Sequence, residues 1–325
     1  MLVTGGAGYI GSHAAKALAR AGHRVVVYDS LVAGHRDAVK YGEFVQGDVL
    51  DGAALRSAMQ THGVDAVMHF AAFLDVGESV REPVKYYRNN VGGVINVLEA
   101  MAALKVGPLV FSSTCATYGE PTETPITESH PQRPINSYGE SKLVAERAFP
   151  HYERAYGIRA IALRYFNAAG ADPEGELGED HSPEIHVIPR ALDAAHGGDG
   201  LKVFGDDYPT PDGTCLRDYI HVTDLADAHV RAVERLADSG KSGAYNLGTG
   251  MPQSVKDVIA SVERVTGRNV PWTLAPRRPG DPAVLYASPD KAGAELGWTP
   301  SHPGLDDIVR TAWMWRQAHP RGYRG

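Results

Sequence analysis

The sequence has few of the features that mark secreted, membrane-spanning or nucleic-acid-binding proteins. Only two cysteines, Cys115 and Cys215, occur among 325 residues, which is too few for a disulfide framework and is typical of a reducing cytoplasm. The formal net charge of −7 argues against a nucleic-acid partner. The longest apolar run, AVMHFAAFL, is too short to span a bilayer, and the opening MLVTGG lacks a signal peptide's basic and apolar segments. We therefore expect a cytoplasmic protein without membrane or nucleic-acid partners.

Short β-branched runs alternate with helical patterns through the first half of the chain. This alternation predicts an α/β fold with a doubly wound, Rossmann-type parallel sheet. Beyond residue 167 shorter elements and loops follow, so we predict an NAD-binding domain over 1–167 and a smaller mixed α/β substrate-binding lobe over 168–325, with some segments returning to the first domain. The predicted strands are 24–29, 43–48, 65–72, 108–113 and 159–167, and the predicted helices are 12–21, 52–62, 84–104 and 137–156. Two amphipathic helices are also predicted, in TDLADAHVRAVERLAD and SVKDVIASVERVTG.

A glycine-rich segment, TGGAGYIGSH, joins the first apolar strand to a helix. Its Gly5, Gly8 and Gly11 recur every three residues, and Asp29 ends the second strand. This is the context of a dinucleotide site, where glycines let the backbone approach the pyrophosphate and the helix start supplies N–H groups. Asp29 is expected to bind the adenosine ribose hydroxyls. Its charge would repel a 2′-phosphate, so NAD is favoured over NADP.

Tyr138 and Lys142 lie four residues apart in NSYGESKLVAE, a segment predicted to be helical with Asn136 or Ser137 as its N-cap. Residues at this spacing share one helical face, so the phenol and the ammonium point the same way. Taken alone, the pair is more often an ordinary surface feature, because a phenol ionises near pH ~10. Beside the positive nicotinamide of NAD⁺, however, Lys142 could lower the pKa of Tyr138 and make it a proton acceptor.

The motifs TGGAGYIGSH, DVLD, HFAA, FSSTCATYG and SYGESK occur in this order, and on them the chain resembles the extended short-chain dehydrogenase/reductase family. The later segments LRYFNAAGADPEGELGED, DGTCLRDYIHV, YNLGTG and PRRPGD are similar to the branch of that family that epimerises UDP-sugars at C4. The resemblance covers essentially the whole chain. It implies interconversion of UDP-galactose and UDP-glucose through a 4-keto intermediate, with hydride transferred to tightly bound NAD and returned to the other face of the sugar.

The resemblance also implies roles for individual residues. Tyr138 takes and returns the 4-hydroxyl proton, Lys142 binds the nicotinamide ribose and lowers the pKa of Tyr138, and Thr114 hydrogen-bonds the reacting hydroxyl. Leu74 departs from the family pattern, which has a lysine there, so one ionic contact to the cofactor could be missing. The expected cofactor contacts are Gly5, Gly8, Tyr9, Ile10, Gly11, Asp29, Ser30, Asp48, Val49, Phe70, Ala71, Ala72, Asn89, Ser112, Tyr138, Lys142 and Phe166.

The second half of the chain is expected to bind the UDP-sugar. Arg217 and Arg278 are the candidates for the diphosphate, because a guanidinium binds phosphate through two hydrogen bonds. Phe204 is expected to flank the uracil and Asp281 to accept from the ribose hydroxyls, although arginines are common on surfaces and Phe204 could be plain core. The remaining expected substrate contacts are Thr114, Tyr138, Asn167, Val187, Tyr219 and Leu285.

Leu285 bears on sugar specificity. In the family the residue four places after Asp281 lies beside the substituent on sugar C2, and a large side chain there excludes an N-acetyl group. Leucine is smaller than the tyrosine of some relatives but fills much of that space. We therefore expect UDP-glucose and UDP-galactose as main substrates and weak turnover of N-acetylated sugars, with a UDP-N-acetylglucosamine 4-epimerase or a bifunctional enzyme as the alternative.

Other functions remain open on the sequence alone. A sugar-nucleotide 4,6-dehydratase is disfavoured, because Cys115 and Ala116 follow Thr114 where that chemistry needs an acid and a base. A reductase that releases its cofactor and a noncatalytic NAD-binding protein are further alternatives. His181 and His186 could suggest a metal pair, but we predict no metal site because no carboxylate partners them at ligand spacing. His186 and Val187 stand where some relatives carry Asn-Leu, and a backbone contact to substrate would survive that change.

A homodimer is also expected from the resemblance. The helix beginning at Pro83 and the helix of Tyr138 form the dimer surface of the family. The first helix carries an apolar stripe formed by Val84, Tyr87, Val91, Val94, Ile95 and Leu98. Of these residues, Tyr87, Val91 and Val94 are expected at the dimer contact. Phe149 and Tyr152 on the second helix are expected to join it.

Overall fold

A computed structural model describes residues 1–278 and 281–323 of the protein. It has fourteen strands among these residues, and the first six confirm the five strands predicted from the sequence and the first apolar strand, which precedes the glycine-rich loop. Two residues of the PRRPGD motif, 279 and 280, lie outside the described part. The strands are β1 (Leu2–Thr4), β2 (Val26–Asp29), β3 (Glu43–Gln46), β4 (Val67–His69), β5 (Pro108–Thr114), β6 (Arg159–Tyr165), β7 (Asn167–Ala169), β8 (Leu201–Phe204), β9 (Leu216–Arg217), β10 (Tyr219–His221), β11 (Gly243–Leu247), β12 (Gln253–Ser254), β13 (Trp272–Ala275) and β14 (Val284–Leu285).

Helices alternate with the strands of the first half and cluster in the second. The four helices predicted there are present, and so are the two amphipathic ones, α8 and α9. The helices are α1 (Tyr9–Arg20), α2 (Gly52–Thr61), α3 (Val76–Arg81), α4 (Pro83–Tyr86), α5 (Gly92–Leu104), α6 (Ser137–Tyr156), α7 (Val187–Ala195), α8 (Val222–Asp238), α9 (Val255–Thr266), α10 (Asp290–Leu296) and α11 (Leu305–Ala318). Among the described residues, no helix combines the length and the apolar character that crossing a membrane requires.

A seven-stranded sheet in the order β11-β6-β5-β4-β1-β2-β3 organises the first half of the chain. Every neighbouring pair in it is parallel, so its strands end at one common edge, where loops from both halves of the sheet meet. One apolar cluster packs α1 and α8 on one face, and another packs α2, α5 and α6 on the opposite face. The predicted doubly wound Rossmann-type sheet is confirmed.

The later part of the chain contributes to both regions of the molecule. Strand β11 extends the large sheet beside β6, and α8 packs on its face with α1. A third apolar cluster holds α7, α9 and α11 together with strands β8 and β10, and short two- and three-stranded sheets complete this lobe. The division into domains at residue 167, with some segments returning to the first domain, stays a prediction.

Some predicted boundaries differ from the observed ones. The strand predicted at 65–72 is observed only at 67–69, because Phe70 and Ala71 turn to hydrogen-bond the Thr4 carbonyl rather than extend the sheet. The helix predicted at 84–104 is interrupted by a π-helical turn at Tyr87–Val91, so its side chains do not form a single stripe. Val94 and Leu98 are buried, whereas Val84, Tyr87 and Ile95 are exposed.

Candidate active site

The loop between β1 and α1 brings the backbone close to the cavity at the carboxyl edge of the sheet. Gly5 has φ of +71°, and a Cβ there would lie 2.5 Å from the Ala71 nitrogen. At Gly11 a Cβ would lie 2.2 Å from the Gly5 carbonyl oxygen. Both positions therefore require glycine. Because Gly8, the N-cap of α1, makes no side-chain hydrogen bond, the first N–H groups of the helix are available to an anion.

Asp29 ends β2 beside this loop. One carboxylate oxygen accepts from the Ala7 N–H and the other from the Leu31 N–H, both at 2.9 Å. Burial raises the pKa of Asp29, and these two backbone N–H groups partly oppose the shift. Each oxygen keeps a free lone pair, so the carboxylate can hold the loop and still accept from a ligand's hydroxyl groups.

Tyr138 and Lys142 lie on the first turns of α6. Asn136 is the N-cap, as predicted, and its side-chain oxygen accepts from the Gly139 N–H at 2.8 Å. The Lys142 ammonium donates to the Ser112 carbonyl at 2.8 Å and lies 4.9 Å from the centre of the Phe111 ring. Burial lowers the pKa of Lys142 to about 7, against the opposing effect of Glu146 one turn later.

Thr114, at the end of β5, stands beside Tyr138. Its hydroxyl accepts from the Ala116 N–H at 3.1 Å, which leaves its own O–H free to donate. The pKa of Tyr138 is raised to about 12 as the net result of three effects. Burial raises the pKa most, a hydrogen bond with Thr114 lowers it, and Cys115 adds to the rise. In the free protein the phenol is therefore protonated near neutral pH, and the Thr114 hydroxyl is the contact that favours its ionised form.

A buried ion pair that was not predicted from the sequence supports α6. Glu146 accepts from the Arg164 guanidinium on β6, with Nε at 3.1 Å from both carboxylate oxygens and Nη2 at 2.5 Å from one of them, and both side chains are 7% exposed. The pair holds the helix of Lys142 against the strand next to Thr114. Its two members lie 18 residues apart in different elements, so no local motif marks them.

The predicted substrate residues line the other end of the same cavity. The Arg217 guanidinium donates to Asp281, and the Arg278 guanidinium lies 3.9 Å from the centre of the Phe204 ring. Leu285 pairs with Arg217 across β14 and β9. It packs on a small apolar cluster that includes Cys115 and Phe166, which follow β5 and β6 directly.

One cavity of about 1090 Å³ brings both groups together. Every residue predicted to touch the cofactor or the substrate lines it, including those named so far only by sequence: Ser30, Asp48, Val49, Phe70, Ala72, Asn89, Asn167, Val187 and Tyr219. Leu74, at the departure from the family pattern, also lines the cavity, as does Arg81 on the neighbouring α3. These placements agree with the predicted contacts, which themselves remain predictions.

The whole chain can be compared with known proteins on this basis. The model of the NAD dependent epimerase/dehydratase family matches residues 1–248. The chain belongs to this family. A curated UDP-glucose 4-epimerase of Halalkalibacterium halodurans is 52% identical over 99% of this chain and 97% of its own.

Solved structures of the family share the complete fold. The UDP-glucose 4-epimerase of Brucella ovis in complex with NAD is 55% identical, covers 96% of this chain and 97% of its own, and superposes with a TM-score of 0.94. The Bifidobacterium longum enzyme in complex with NAD⁺ and UDP is 38% identical over 99% of each chain, with a TM-score of 0.93. The resemblance inferred from the motifs is confirmed.

The glycine loop and Asp29 fit the cofactor of this epimerase/dehydratase family. A Cβ at Gly5 would clash with the backbone of Ala71, and one at Gly11 with the backbone of Gly5, so glycine at both positions lets the loop pack closely and turn its backbone N–H groups toward a pyrophosphate. Asp29 lines the same cavity. The protein is thus an NAD-dependent enzyme, as the sequence predicted.

One inference from the sequence rested on a premise that is wrong. The prediction of no metal site assumes that no carboxylate partners His181 and His186, but Glu179 and Glu184 lie beside them. One potential ligand atom from each of the four residues lies within 4.8 Å of all the others. The missed signal was the spacing of all four residues in GEDHSPEIHV. Burial lowers the pKa of the two imidazoles, yet the two carboxylates outweigh it and raise the pKa of His181 to about 9 and that of His186 to about 10.

Proposed function

We propose that the protein is a UDP-glucose 4-epimerase that interconverts UDP-galactose and UDP-glucose. The observation that carries this proposal is the single cavity, in which the dinucleotide loop, the pair Tyr138 and Lys142, and the arginines Arg217 and Arg278 face one another. A UDP-sugar and a nicotinamide can therefore meet at Tyr138. The UDP-glucose 4-epimerase names and UDP complexes of the relatives support the same substrate.

Proton transfer is assigned to Tyr138. NAD held by the glycine loop and Asp29 would supply a reversible hydride acceptor for C4 of the sugar. Tyr138 takes the 4-hydroxyl proton and gives it back, while the Thr114 O–H stabilises the ionised phenol and Lys142 orients the nicotinamide ribose. Because the pKa of Tyr138 is raised to about 12, mainly by burial, the positive charge of the cofactor has to lower it for the phenol to act near neutral pH.

The nucleotide end of the substrate is assigned to the second lobe. Arg278 and Arg217 are cations at the cavity wall, suited to the diphosphate. The Phe204 ring, already covered on one side by Arg278, offers an apolar surface for uracil. Asp281 pairs with Arg217 and can also accept hydrogen bonds from the ribose hydroxyls. The ion pair therefore holds the Asp281 carboxylate and the Arg217 guanidinium side by side, facing the nucleotide.

The dehydratase alternative is weak at this site. Elimination of the C6 hydroxyl needs an acid and a base beside the sugar, and the residues after Thr114 are Cys115 and Ala116. Burial raises the pKa of the Cys115 thiol to about 12, so it ionises too little to act as a base near pH 7. A noncatalytic NAD-binding role leaves the arrangement of Tyr138 with Thr114 unexplained.

The test is to incubate purified protein with UDP-galactose and no added cofactor, and to measure UDP-glucose formation. We expect turnover, which a cofactor-releasing reductase, a dehydratase or a binding protein would not give. Tyr138→Phe should lower kcat by about 10²-fold or more while NAD stays bound. A Tyr138→Phe variant with more than about a tenth of the wild-type rate, a difference of about 1.4 kcal/mol, would contradict the assigned role.

We also propose a homodimer and a cytoplasmic location. The exposed apolar side chains Val80, Val84, Tyr87 and Ile95 provide a surface on α3, α4 and the adjoining helical turns that a second copy could cover. Both cysteines are free thiols and buried, as suits a reducing compartment.

A further inference from the structure

The loop between β7 and α7 carries a compact cluster of two carboxylates and two imidazoles. Glu179, His181, Glu184 and His186 follow one another within eight residues, and three of them line the active-site cavity. The Glu179 side chain is 7% exposed and that of Glu184 15% exposed. Two nearly buried carboxylates at one point need positive charge beside them, from the imidazoles in their protonated form or from a bound metal ion, because an isolated buried charge is costly.

A second carboxylate cluster shows how the chain supplies a cation from its own residues. Asp172, Glu174 and Glu176 surround the ammonium of Lys16 at 2.6, 3.0 and 2.7 Å. At Glu179 and Glu184 the described residues 1–278 and 281–323 provide no lysine or arginine within ion-pair distance, and only the two imidazoles approach.

The distances among the four side chains match the edges of a small coordination polyhedron. The Nδ1 atom of His186 lies 2.8 Å from Glu179 Oε1 and forms a hydrogen bond of 2.9 Å with Glu184 Oε1. The Nδ1 atom of His181 lies 3.2 Å from Glu179 Oε1 and 3.6 Å from Glu184 Oε2. Tetrahedral zinc with bonds of roughly 2.0–2.1 Å has ligand-to-ligand edges of about 3.3–3.4 Å, which falls within this range.

Apart from the hydrogen bond between His186 Nδ1 and Glu184 Oε1, two buried atoms of the cluster are left without a hydrogen bond. Glu179 Oε1 and His181 Nδ1 are buried and 3.2 Å apart, yet neither has a hydrogen-bond partner among the residues that the structure describes. Glu179 Oε1 is equally unbonded toward His186, despite the 2.8 Å separation. Atoms this close without aligned N–H groups are arranged as ligands that converge on a common point.

We propose that Glu179, His181, Glu184 and His186 form a binding site for one divalent transition-metal ion, with zinc as the ion that best fits two imidazole nitrogens and two carboxylate oxygens. The Glu184 Oε1 atom already accepts from the backbone N–H groups of Ile185 and His186 at 2.8 Å each and is hydrogen-bonded to His186 Nδ1 at 2.9 Å, so its Oε2 atom is the natural ligand. These backbone bonds orient the carboxylate as a supporting shell does at metal sites.

The site has a positioning role rather than a catalytic one. Tyr9, at the start of α1, packs edge-on against His181 with ring centres 6.2 Å apart, and His186 is the N-cap of α7, directly before Val187. A metal would therefore fix the loop between the dinucleotide end of the cavity and the predicted substrate contact at Val187. This consequence rests on the proposed function, whereas metal binding itself does not.

The test measures metal directly. Holoprotein treated with a chelator and then dialysed against micromolar zinc should hold about one zinc per chain by elemental analysis, and its cobalt form should show the intense visible absorption of tetrahedral Co²⁺. Glu179→Gln and the double variant His181→Asn/His186→Asn should both lose stoichiometric zinc and the cobalt spectrum. Glu174→Gln, in the cluster that Lys16 occupies, should retain them.

Thermal melting provides an independent readout. Zinc should raise the Tm of the wild type and of Glu174→Gln but not that of Glu179→Gln, because only a protein that binds the ion is stabilised by it. If both cluster variants and the wild type bind zinc equally, or if the wild type binds none, the proposal is wrong and the cluster is an ion-pair network of imidazoliums and carboxylates. Zinc binding without any change in KM for UDP-galactose would overturn the positioning role alone.

Discussion

Thr114→Val tests whether a single hydroxyl sets the basicity of Tyr138. Valine keeps the shape of threonine at a position that is only 7% exposed, but it removes the O–H that stabilises the ionised phenol. A hydrogen bond to a charged group contributes about 1.5–3 kcal/mol, and one pKa unit corresponds to about 1.4 kcal/mol. The substitution should therefore raise the pKa of Tyr138 by about one to two units.

The sign of the pH effect follows from the proposed role of Tyr138. The phenol must be ionised to accept the 4-hydroxyl proton, so kcat rises with pH through its pKa. Raising that pKa moves the acidic limb of the kcat profile to higher pH by the same one to two units. At a fixed pH below the limb, turnover should fall about 10- to 100-fold.

The assay is the pH dependence of kcat for UDP-galactose, with Thr114→Ser as the matched control. Serine keeps the hydroxyl that donates to Tyr138 and accepts from the Ala116 N–H, so its profile should stay near that of the wild type. Bound NAD, measured on the purified variants, separates a change in basicity from loss of the cofactor. The reasoning fails if Thr114→Val retains the wild-type limb, or if the serine variant is as impaired as the valine variant.

Three further predictions concern the cofactor, the sugar and the assembly. Gly11→Ala should purify with little bound NAD, because its Cβ would lie 2.2 Å from the Gly5 carbonyl oxygen. Gly8→Ala, whose Cβ would approach the same oxygen only to 3.3 Å, should retain more NAD. Equal NAD content in the two variants would contradict this prediction. Leu285→Cys should raise kcat/KM for UDP-N-acetylgalactosamine relative to UDP-galactose by about 10-fold, and an unchanged ratio would remove Leu285 from the specificity argument. Val84→Lys, at a side chain that is 65% exposed, should convert a dimer to a monomer by light scattering at micromolar concentration, and a wild-type monomer would refute the proposed interface.

The sequence could indicate much of the catalytic machinery because that machinery is local. The glycines of the β1–α1 loop lie within seven residues of one another, and Tyr138 and Lys142 are one helical turn apart. Such spacings follow from backbone geometry alone, since a helix places i and i+4 together wherever it lies. The alternation of strands and helices likewise reports local periodicity, which is why the doubly wound sheet was predictable while the ends of its strands were not.

Other features depend on residues that meet only after folding. The Arg217–Asp281 pair joins positions 64 apart, and β11 completes the large sheet from the second half of the chain. In the helical region that begins at Pro83, the packing of α5 on the sheet likewise decides which apolar side chains are buried and which are exposed. For the cluster at Glu179 the four residues are close in sequence, but only the loop conformation turns their ligand atoms toward one point.

The sequence by itself determined the parallel sheet, the dinucleotide loop and the Tyr138–Lys142 pair, because each follows from the short-range geometry of strands, turns and helices. The tertiary structure decided the environment of those groups. It buried Tyr138 and so raised its pKa to about 12, and it buried Lys142 and lowered its pKa to about 7. These shifts arise from desolvation by atoms of several distant elements, which no spacing along the chain can express.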